Sequence, residues 1–125
     1  KKSPYSVSKT IDRLATVLEN KGVNVVKRWH HHQAAQDVGI QLRPTSLIIF
    51  GNPKVGSKFF TSTQSAAIDL PMKALAWKDA NGQVWLGYND PGYIAERHGI
   101  ENRDTTIQNM SNVLNKMTNT AIAAR

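Results

Sequence analysis

Three consecutive histidines are the first residues whose type and spacing could do chemistry. His30, His31 and His32 close a β-branched, partly alternating segment. On a strand, His30 and His32 point to the same face, and two imidazoles at that spacing can share a divalent metal ion. A third or fourth ligand would have to come from His98, Asp69 or Asp90. The alternative is that these are strand-end histidines, with His32 bonded to a backbone carbonyl, because no ligand set of fixed spacing is present.

A second candidate is the loop Gly51-Asn52-Pro53-Lys54, which follows an apolar strand and opens a helix. Backbone N–H groups at a helix N-terminus, together with Lys54 and with Lys58 one turn later, favour an anionic ligand. The spacing of a phosphate-binding P-loop is absent. Equally, Gly51 and Asn52 are the residue types that a tight corner requires.

A third group comprises Asp69, Tyr88, Asp90 and His98. Asp69 lies between two apolar residues, so we expect it to be partly buried and paired. If the sheet gathers Tyr88, His98 and His32, an acid–base constellation results. The alternative is a polar network that holds loops in place. Neither a Ser-His-Asp order nor a Gly-x-Ser-x-Gly motif is present.

Composition excludes several classes of function. The 125 residues lack cysteine, which rules out disulfides, thiolate metal sites and a cysteine nucleophile. No apolar run approaches the ~20 residues of a membrane helix. The net charge of +7 suggests an anionic partner, but lysines and arginines are scattered along the sequence rather than grouped. This scatter disfavours nucleic acid as a partner.

The apolar periodicity predicts the elements that must position these residues. A helix begins at Ser6, with Ser6 or Ser8 as its cap. A C-terminal helix carries Ile107, Met110, Leu114, Met117 and Ala121, with a cap near Asn102 or Asp104. Asn81-Gly82 is a strong hairpin signal. Pro91 and Gly99 bracket a further helix. Strands are expected over 23–31, 46–51, 72–78 and 83–88. A short helix is expected over 34–38. One or two helical turns within 54–63 should present Phe59 and Phe60 inward.

These elements predict one α+β domain, a two-layer sandwich with an about four-stranded, mostly antiparallel sheet and helices packed on it. Residues 1–5 are expected to be a flexible lead-in, 6–121 the domain and 122–125 a C-terminal tail. The continuous apolar strand over 46–51 predicts burial on both faces. The aromatic and methionine stripes, which include Trp77 and Trp85, are assigned to the core.

Several segments together resemble a known family. They are Phe50-Gly51-Asn52-Pro53-Lys54, Ala67-Ile68-Asp69-Leu70-Pro71, the stretch from Gly82 to Tyr88, Asp90-Pro91, Arg97-His98-Gly99, and His32 followed by Ala34 and Ala35. In this order they resemble the bacterial and archaeal family called domain of unknown function 302, over roughly residues 6–118. The resemblance implies a small α+β domain, often exported or attached to other modules, with a tendency to dimerise and no established reaction. The run of three histidines departs from the single histidine of the family pattern.

Three functional hypotheses follow. The first is a binding or sensing domain for a small anionic or metal-associated ligand held by strand-end residues, namely His32, Gly51, Asn52, Lys54, Asp69, Tyr88 and His98. The second is an enzyme that uses histidine and tyrosine as acid–base groups. The third is a dimeric structural or interaction domain. No cofactor motif is evident, and a divalent metal at His30 and His32 is the one cofactor left open. The first residue is lysine rather than methionine, which is consistent with an exported, periplasmic chain and equally with a cytoplasmic one.

Overall fold

The computed structural model describes residues 1–61, 63–101 and 104–124, apart from the side chains of Phe59 and Phe60. In these ranges the chain forms five strands, β1 (Lys2–Ser3), β2 (Asn24–His30), β3 (Thr45–Gly51), β4 (Met72–Lys78) and β5 (Val84–Tyr88). The helices are α1 (Val7–Asn20), α2 (His31–Asp37), α3 (Pro53–Phe60), α4 (Pro91–His98) and α5 (Asp104–Ile122), with a 3₁₀ helix over Gln64–Asp69. The proposed cap Asn102 and the inward direction of Phe59 and Phe60 lie outside the described residues.

The strands form one antiparallel sheet in the order β1-β5-β4-β3-β2. The α+β prediction is confirmed, with five strands rather than about four. The additional strand is β1, in which Lys2 pairs with Trp85 and Ser3 with Val84. The first residues are therefore not a flexible lead-in. A two-residue strand carries no periodicity, so the sequence pattern did not indicate it.

One face of the sheet, the core face, packs against α1 and α5. Its residues are Ile48, Phe50, Met72, Ala74, Ala76, Val84 and Leu86, all buried. In α1, Ile11, Leu14 and Leu18 are at most 1% exposed because they recur on one side of the helix. The Ser6 hydroxyl accepts a hydrogen bond from the Lys9 N–H and so caps α1 as predicted.

The other face, here the open face, carries no fully buried residue. It consists of Lys2, Lys27, Trp29, Thr45, Leu47, Ile49, Lys73, Leu75, Trp77, Trp85 and Gly87. The prediction that β3 is buried on both faces was wrong, because its burial alternates. The assignment of Trp77 and Trp85 to the core was also wrong, since both rings lie on the open face at intermediate exposure.

The turns follow the predicted chemistry. Asp79 accepts hydrogen bonds from the backbone N–H groups of Asn81 and Gln83, and Gly82 adopts φ +83° between β4 and β5. Asp90 caps α4, and Gly99 ends it in the left-handed region. Within the described residues, no helix is both long and apolar enough to cross a membrane.

The antiparallel order decides which strand ends meet. The strand ends form two opposite edges of the sheet. The carboxyl ends of β3 and β5 lie at the same one of these edges as the start of β4. The end of β2 and the start of β3 lie at the opposite edge. Residues near Gly51, Asp69 and Tyr88 therefore share one edge, whereas the histidine run lies at the other.

Candidate functional site

A cavity of about 630 Å³ opens at the edge where β3 ends. Its walls come from the start of β2, the β3–α3 loop, the segment before β4 and α5. The inner wall belongs to the hydrophobic core, with Phe50, Met72 and Leu114. At the outer wall, Val26 is 56% exposed and Val113 is 47% exposed, so these two valines flank the mouth.

The chemistry of the lining is mostly apolar. Among the described residues that line the cavity, Lys21 is the only charged one and none carries a carboxylate. The polar side chains are Asn24, Asn52, Ser57 and Asn109. Such a lining suits a molecule with an apolar body and a polar or anionic end.

The β3–α3 loop forms one wall of the cavity. The Asn52 side-chain oxygen accepts a hydrogen bond from the Lys54 N–H at 3.0 Å and caps α3, in which Pro53 occupies the first turn. A Cβ at Gly51 would lie 3.1 Å from the Pro71 Cβ, so the close approach of β3 to the segment before β4 favours glycine there. Gly51 and Asn52 line the cavity, whereas Lys54 is exposed and does not.

Asp69 and His98 form a pair near this edge. The His98 Nε2–H donates a hydrogen bond of 2.5 Å to Asp69 Oδ2, since an ionised carboxylate only accepts. Arg97 Nη1 lies 3.0 Å from the same oxygen. The hydrogen bond from His98, with the positive charge of Arg97, lowers the pKa of Asp69 below its ordinary value against the opposing effect of desolvation. Asp69 is therefore partly buried and paired, as expected.

Tyr88 contacts the core and Lys1. It ends β5 and packs against the core as a partly buried side chain. The Lys1 ammonium is 5.9 Å from the centroid of the Tyr88 ring. The same ammonium donates to Asn115, Thr118 and Asn119 of α5, and burial lowers the pKa of Lys1.

His30 and His32 lie at the opposite edge of the sheet. The ring centroids are 5.8 Å apart, but His32 belongs to α2, so the strand alternation that linked the two rings does not apply. The His32 Nδ1 lies 3.0 Å from the Thr45 nitrogen and 3.1 Å from the Thr45 carbonyl oxygen. His30 Nδ1 lies 2.7 Å from Ser46 Oγ. Within the described residues, no group of three His, Asp or Glu side chains could hold a metal ion.

The structure thus brings some of the predicted residues together and separates others. Gly51 and Asn52 share the cavity, and Asp69 meets His98. His32 contacts Thr45 at the start of β3, whereas Asn52 directly follows Gly51 at its end. The seven residues of this extended strand separate them by roughly 20 Å. The single hollow shared by His32, Asn52, Tyr88 and His98 is therefore not formed.

Sequence reasoning missed the cavity itself. Met110, Val113 and Met117 recur at helical spacing, which is typical of residues that face a core. Their spacing gives the side of α5 that faces the sheet, but it does not reveal that the opposing elements leave space unfilled. The one sequence signal was the Gly-Asn-Pro break after β3, whose residues lie in one wall of the cavity.

Comparison with known proteins places this fold in a family. The family model described as Domain of unknown function DUF302 matches residues 1–117. The crystal structure of an uncharacterized conserved DUF302 protein from Bacillus stearothermophilus superposes with a TM-score of 0.86 at 16% identity, covering 97% of this chain and 94% of that one. At that identity the superposition supports the fold alone.

Two curated relatives are closer in sequence. The chain is 44% identical over 98 residues to Fluoride-specific ion channel FluC 1 of Brucella suis biovar 1 (strain 1330), covering 78% of this chain and 39% of that protein. The same identity relates it to Fluoride-specific ion channel FluC 1 of Brucella abortus biovar 1 (strain 9-941), of which it covers 36%. The chain spans less than two fifths of the length of these relatives. Because the family model matches nearly the whole chain, the protein belongs to the DUF302 family.

Proposed function

We propose that this domain binds a small amphipathic anion, with its apolar body in the cavity beside α5 and its charged end near Lys21. The observation that carries the proposal is the cavity of about 630 Å³ with a mostly apolar lining. Ligand pockets in proteins have volumes of roughly 300–1,000 Å³ and a predominantly apolar lining with a few polar groups.

The charge of the cavity lining favours a negatively charged ligand. Lys21 supplies a cation at the end of α1, and none of the lining residues that the structure describes is acidic. The chain as a whole carries +7, which also favours an anion. This proposal keeps the anionic ligand predicted from the β3–α3 loop. In addition, the apolar lining binds the uncharged part of that ligand.

Fluoride is disfavoured as the ligand of this cavity. It has no apolar body, and transfer of a small ion into apolar surroundings without compensating hydrogen bonds is costly. For the relatives named as fluoride-specific ion channels, we infer that the shared domain is an appended module that responds to a different molecule. In a thermal-shift measurement, sodium fluoride should therefore stabilise the domain no more than sodium chloride at equal concentration.

Dodecanoate provides a direct test because it joins a carboxylate to an apolar chain. At one hundred times its dissociation constant, a ligand specific for the native state stabilises by about 2.7 kcal/mol, which raises the Tm of a domain of this size by about 10 °C. V113W should block the mouth of the cavity and reduce the affinity at least tenfold. Because Val113 is 47% exposed, the substitution spares the core. V38W, at an exposed valine outside the cavity lining, is the matched control.

The role of Lys21 has its own comparison. K21Q should weaken dodecanoate binding and leave dodecanol binding unchanged, because only the first ligand carries a charge. K116Q, at an exposed lysine of α5 outside the lining, should change neither affinity. Equal binding of dodecanoate by the wild type and V113W would refute the cavity as the site.

A second candidate function is that of a dimeric interaction domain, favoured by α2 and the segment after it. None of the residues of α2 is buried, and a seven-residue helix gains little stability without packing. Val38, Ile40 and Leu42 are 72%, 59% and 47% exposed. Sedimentation equilibrium should then show a dimer that dissociates when Ile40 is replaced by Glu. A strict monomer at high micromolar concentration would contradict this candidate.

A further inference from the structure

All three tryptophans of the chain lie on the open face of the sheet. The register places Trp77 of β4 opposite Trp85 of β5, beside the hairpin turn, and Trp29 on the outer strand β2. Trp29 is 45% exposed, and the rings of Trp77 and Trp85 have centroids 6.5 Å apart at 21° to each other. Large aromatic side chains normally fill a core, so their concentration on a solvent-facing sheet surface requires an explanation.

Cations accompany these rings. The Lys27 ammonium lies 5.8 Å from the centroid of the Trp29 ring, and the Lys2 ammonium 5.8 Å from that of Trp85. Lys73 lies opposite Ile49 on the same face. No acidic residue belongs to the open face as defined above. Two carboxylates lie close to these residues. Asp79 accepts hydrogen bonds from Trp85 Nε1 and from two backbone N–H groups of the hairpin. The charge of Lys73 acts on Asp69, which is already paired with Arg97 and His98.

The position of the Trp77 ring depends on the absence of a side chain at Gly87. A Cβ built at Gly87 would lie 3.3 Å from Trp77 Cζ3 and 3.4 Å from Cη2. The six-membered ring of Trp77 therefore extends over Gly87 on β5, where a side chain would obstruct it. The glycine leaves the ring against the sheet as part of an aromatic surface.

We infer that the open face binds single-stranded nucleic acid, with bases stacked on the tryptophans and phosphates near Lys2, Lys27 and Lys73. Aromatic side chains on a sheet, combined with a basic surface, are the arrangement by which proteins bind unpaired bases without strong sequence preference. The sequence conceals it because strand alternation and cross-strand pairing, not proximity along the chain, bring these residues together. A second copy of the chain on this face is disfavoured, since it would bring lysines against lysines.

Fluorescence anisotropy with a labelled fifteen-nucleotide oligothymidine tests the inference. The tryptophans supply an independent readout, because stacked bases should quench their emission. W29A should weaken binding about tenfold while the far-UV circular dichroism remains unchanged, since Trp29 is half exposed on an outer strand. In K27Q/K73Q, the slope of log K against log salt should become shallower by about 1.4, as expected for two lost phosphate contacts to a single strand.

K116Q and a ligand series complete the experiment. Lys116 is an exposed lysine of α5 outside the open face, so K116Q should bind like the wild type. Inorganic polyphosphate should bind without quenching the tryptophans. The inference would be overturned by unchanged affinity in W29A, by equal affinity for a duplex of the same length, or by binding to anionic phospholipid vesicles but not to the oligonucleotide. A concentration-dependent dimer that W29A abolishes would instead assign the face to self-association and would also overturn it.

Discussion

Asp69 joins two elements that are distant along the chain. It is the last residue of the 3₁₀ helix, and its carboxylate accepts hydrogen bonds from Arg97 and His98 in the last turn of α4. The Asp69 side chain is only 13% exposed. The carboxylate therefore anchors α4 to the edge of the sheet. Because both of its partners come from one helix, the arrangement fits a structural link better than an acid–base centre.

This link predicts an acid-dependent loss of stability. The folded-state pKa of Asp69 lies below its ordinary value of 3.8, so the native state binds its proton less readily than the unfolded chain. The stabilisation is fully present above the unfolded pKa and is lost as the pH falls through the folded pKa. D69N should therefore be less stable than the wild type at pH 7, and the difference should shrink below roughly pH 4.

Urea unfolding at pH 7, 5 and 3 measures this difference. D37N is the control, because Asp37 is exposed on α2 and makes no ion pair within the described part of the chain. A difference between D69N and the wild type that stays constant from pH 7 to pH 3 would show that the charge of Asp69 contributes nothing.

The residue scale also shows what a sequence can predict about a site. The pairing of Asp69 was predictable, because a carboxylate between two apolar residues must find partners. That its partner is His98 follows from the fold. Whether His32 and Asn52 lie together was not predictable, since it depends on which strand ends meet. The antiparallel pairing of β3 holds them at opposite edges.

At the scale of elements, the structure follows local signals closely. The Ser6 cap, the Asn81-Gly82 hairpin and the Gly99 terminus all stand where the residue types require. The differences arise where packing decides. α2 begins directly at His31, so the histidine run is divided between a strand and a helix. The apolar run of β3 has one fully buried face because α1 and α5 cover only that side.

Two glycines should respond oppositely to alanine. Gly82 has φ +83°, where an L residue is strained, so G82A should destabilise the fold by about 1 kcal/mol. Gly56 lies inside α3, and a Cβ there meets no atom within 4 Å. G56A should therefore stabilise by about 0.5–1 kcal/mol, because alanine loses less backbone entropy in a helix. Thermal unfolding of the two variants measures both signs, and a stabilised G82A would contradict the left-handed turn.

At the scale of the whole molecule, the two surfaces of functional interest are products of tertiary structure. The cavity exists because α5, the β3–α3 loop and the segment before β4 leave space between them. The open face exists because the two longest helices, α1 and α5, pack on the other side of the sheet. Composition predicted an anionic partner, but it did not indicate either surface, since the residues concerned come from positions distant in the sequence.

The single core makes a prediction for unfolding. α1 and α5 pack on the same sheet face and on each other, so loss of either should undo the whole structure. L18A and M117A each remove a side chain at most 4% exposed and should cost about 2–5 kcal/mol. L42A, at a leucine that is 47% exposed, is the control and should cost far less.

Two probes on opposite sides of the sheet decide whether the chain unfolds as one unit. Far-UV circular dichroism reports mainly the helices, whereas tryptophan fluorescence reports only the open face. If residues 6–121 form one domain, the two urea transitions should coincide in the wild type and shift together in L18A and M117A. A fluorescence transition that stays in place while the helical signal shifts would mean that the sheet and its helices unfold separately.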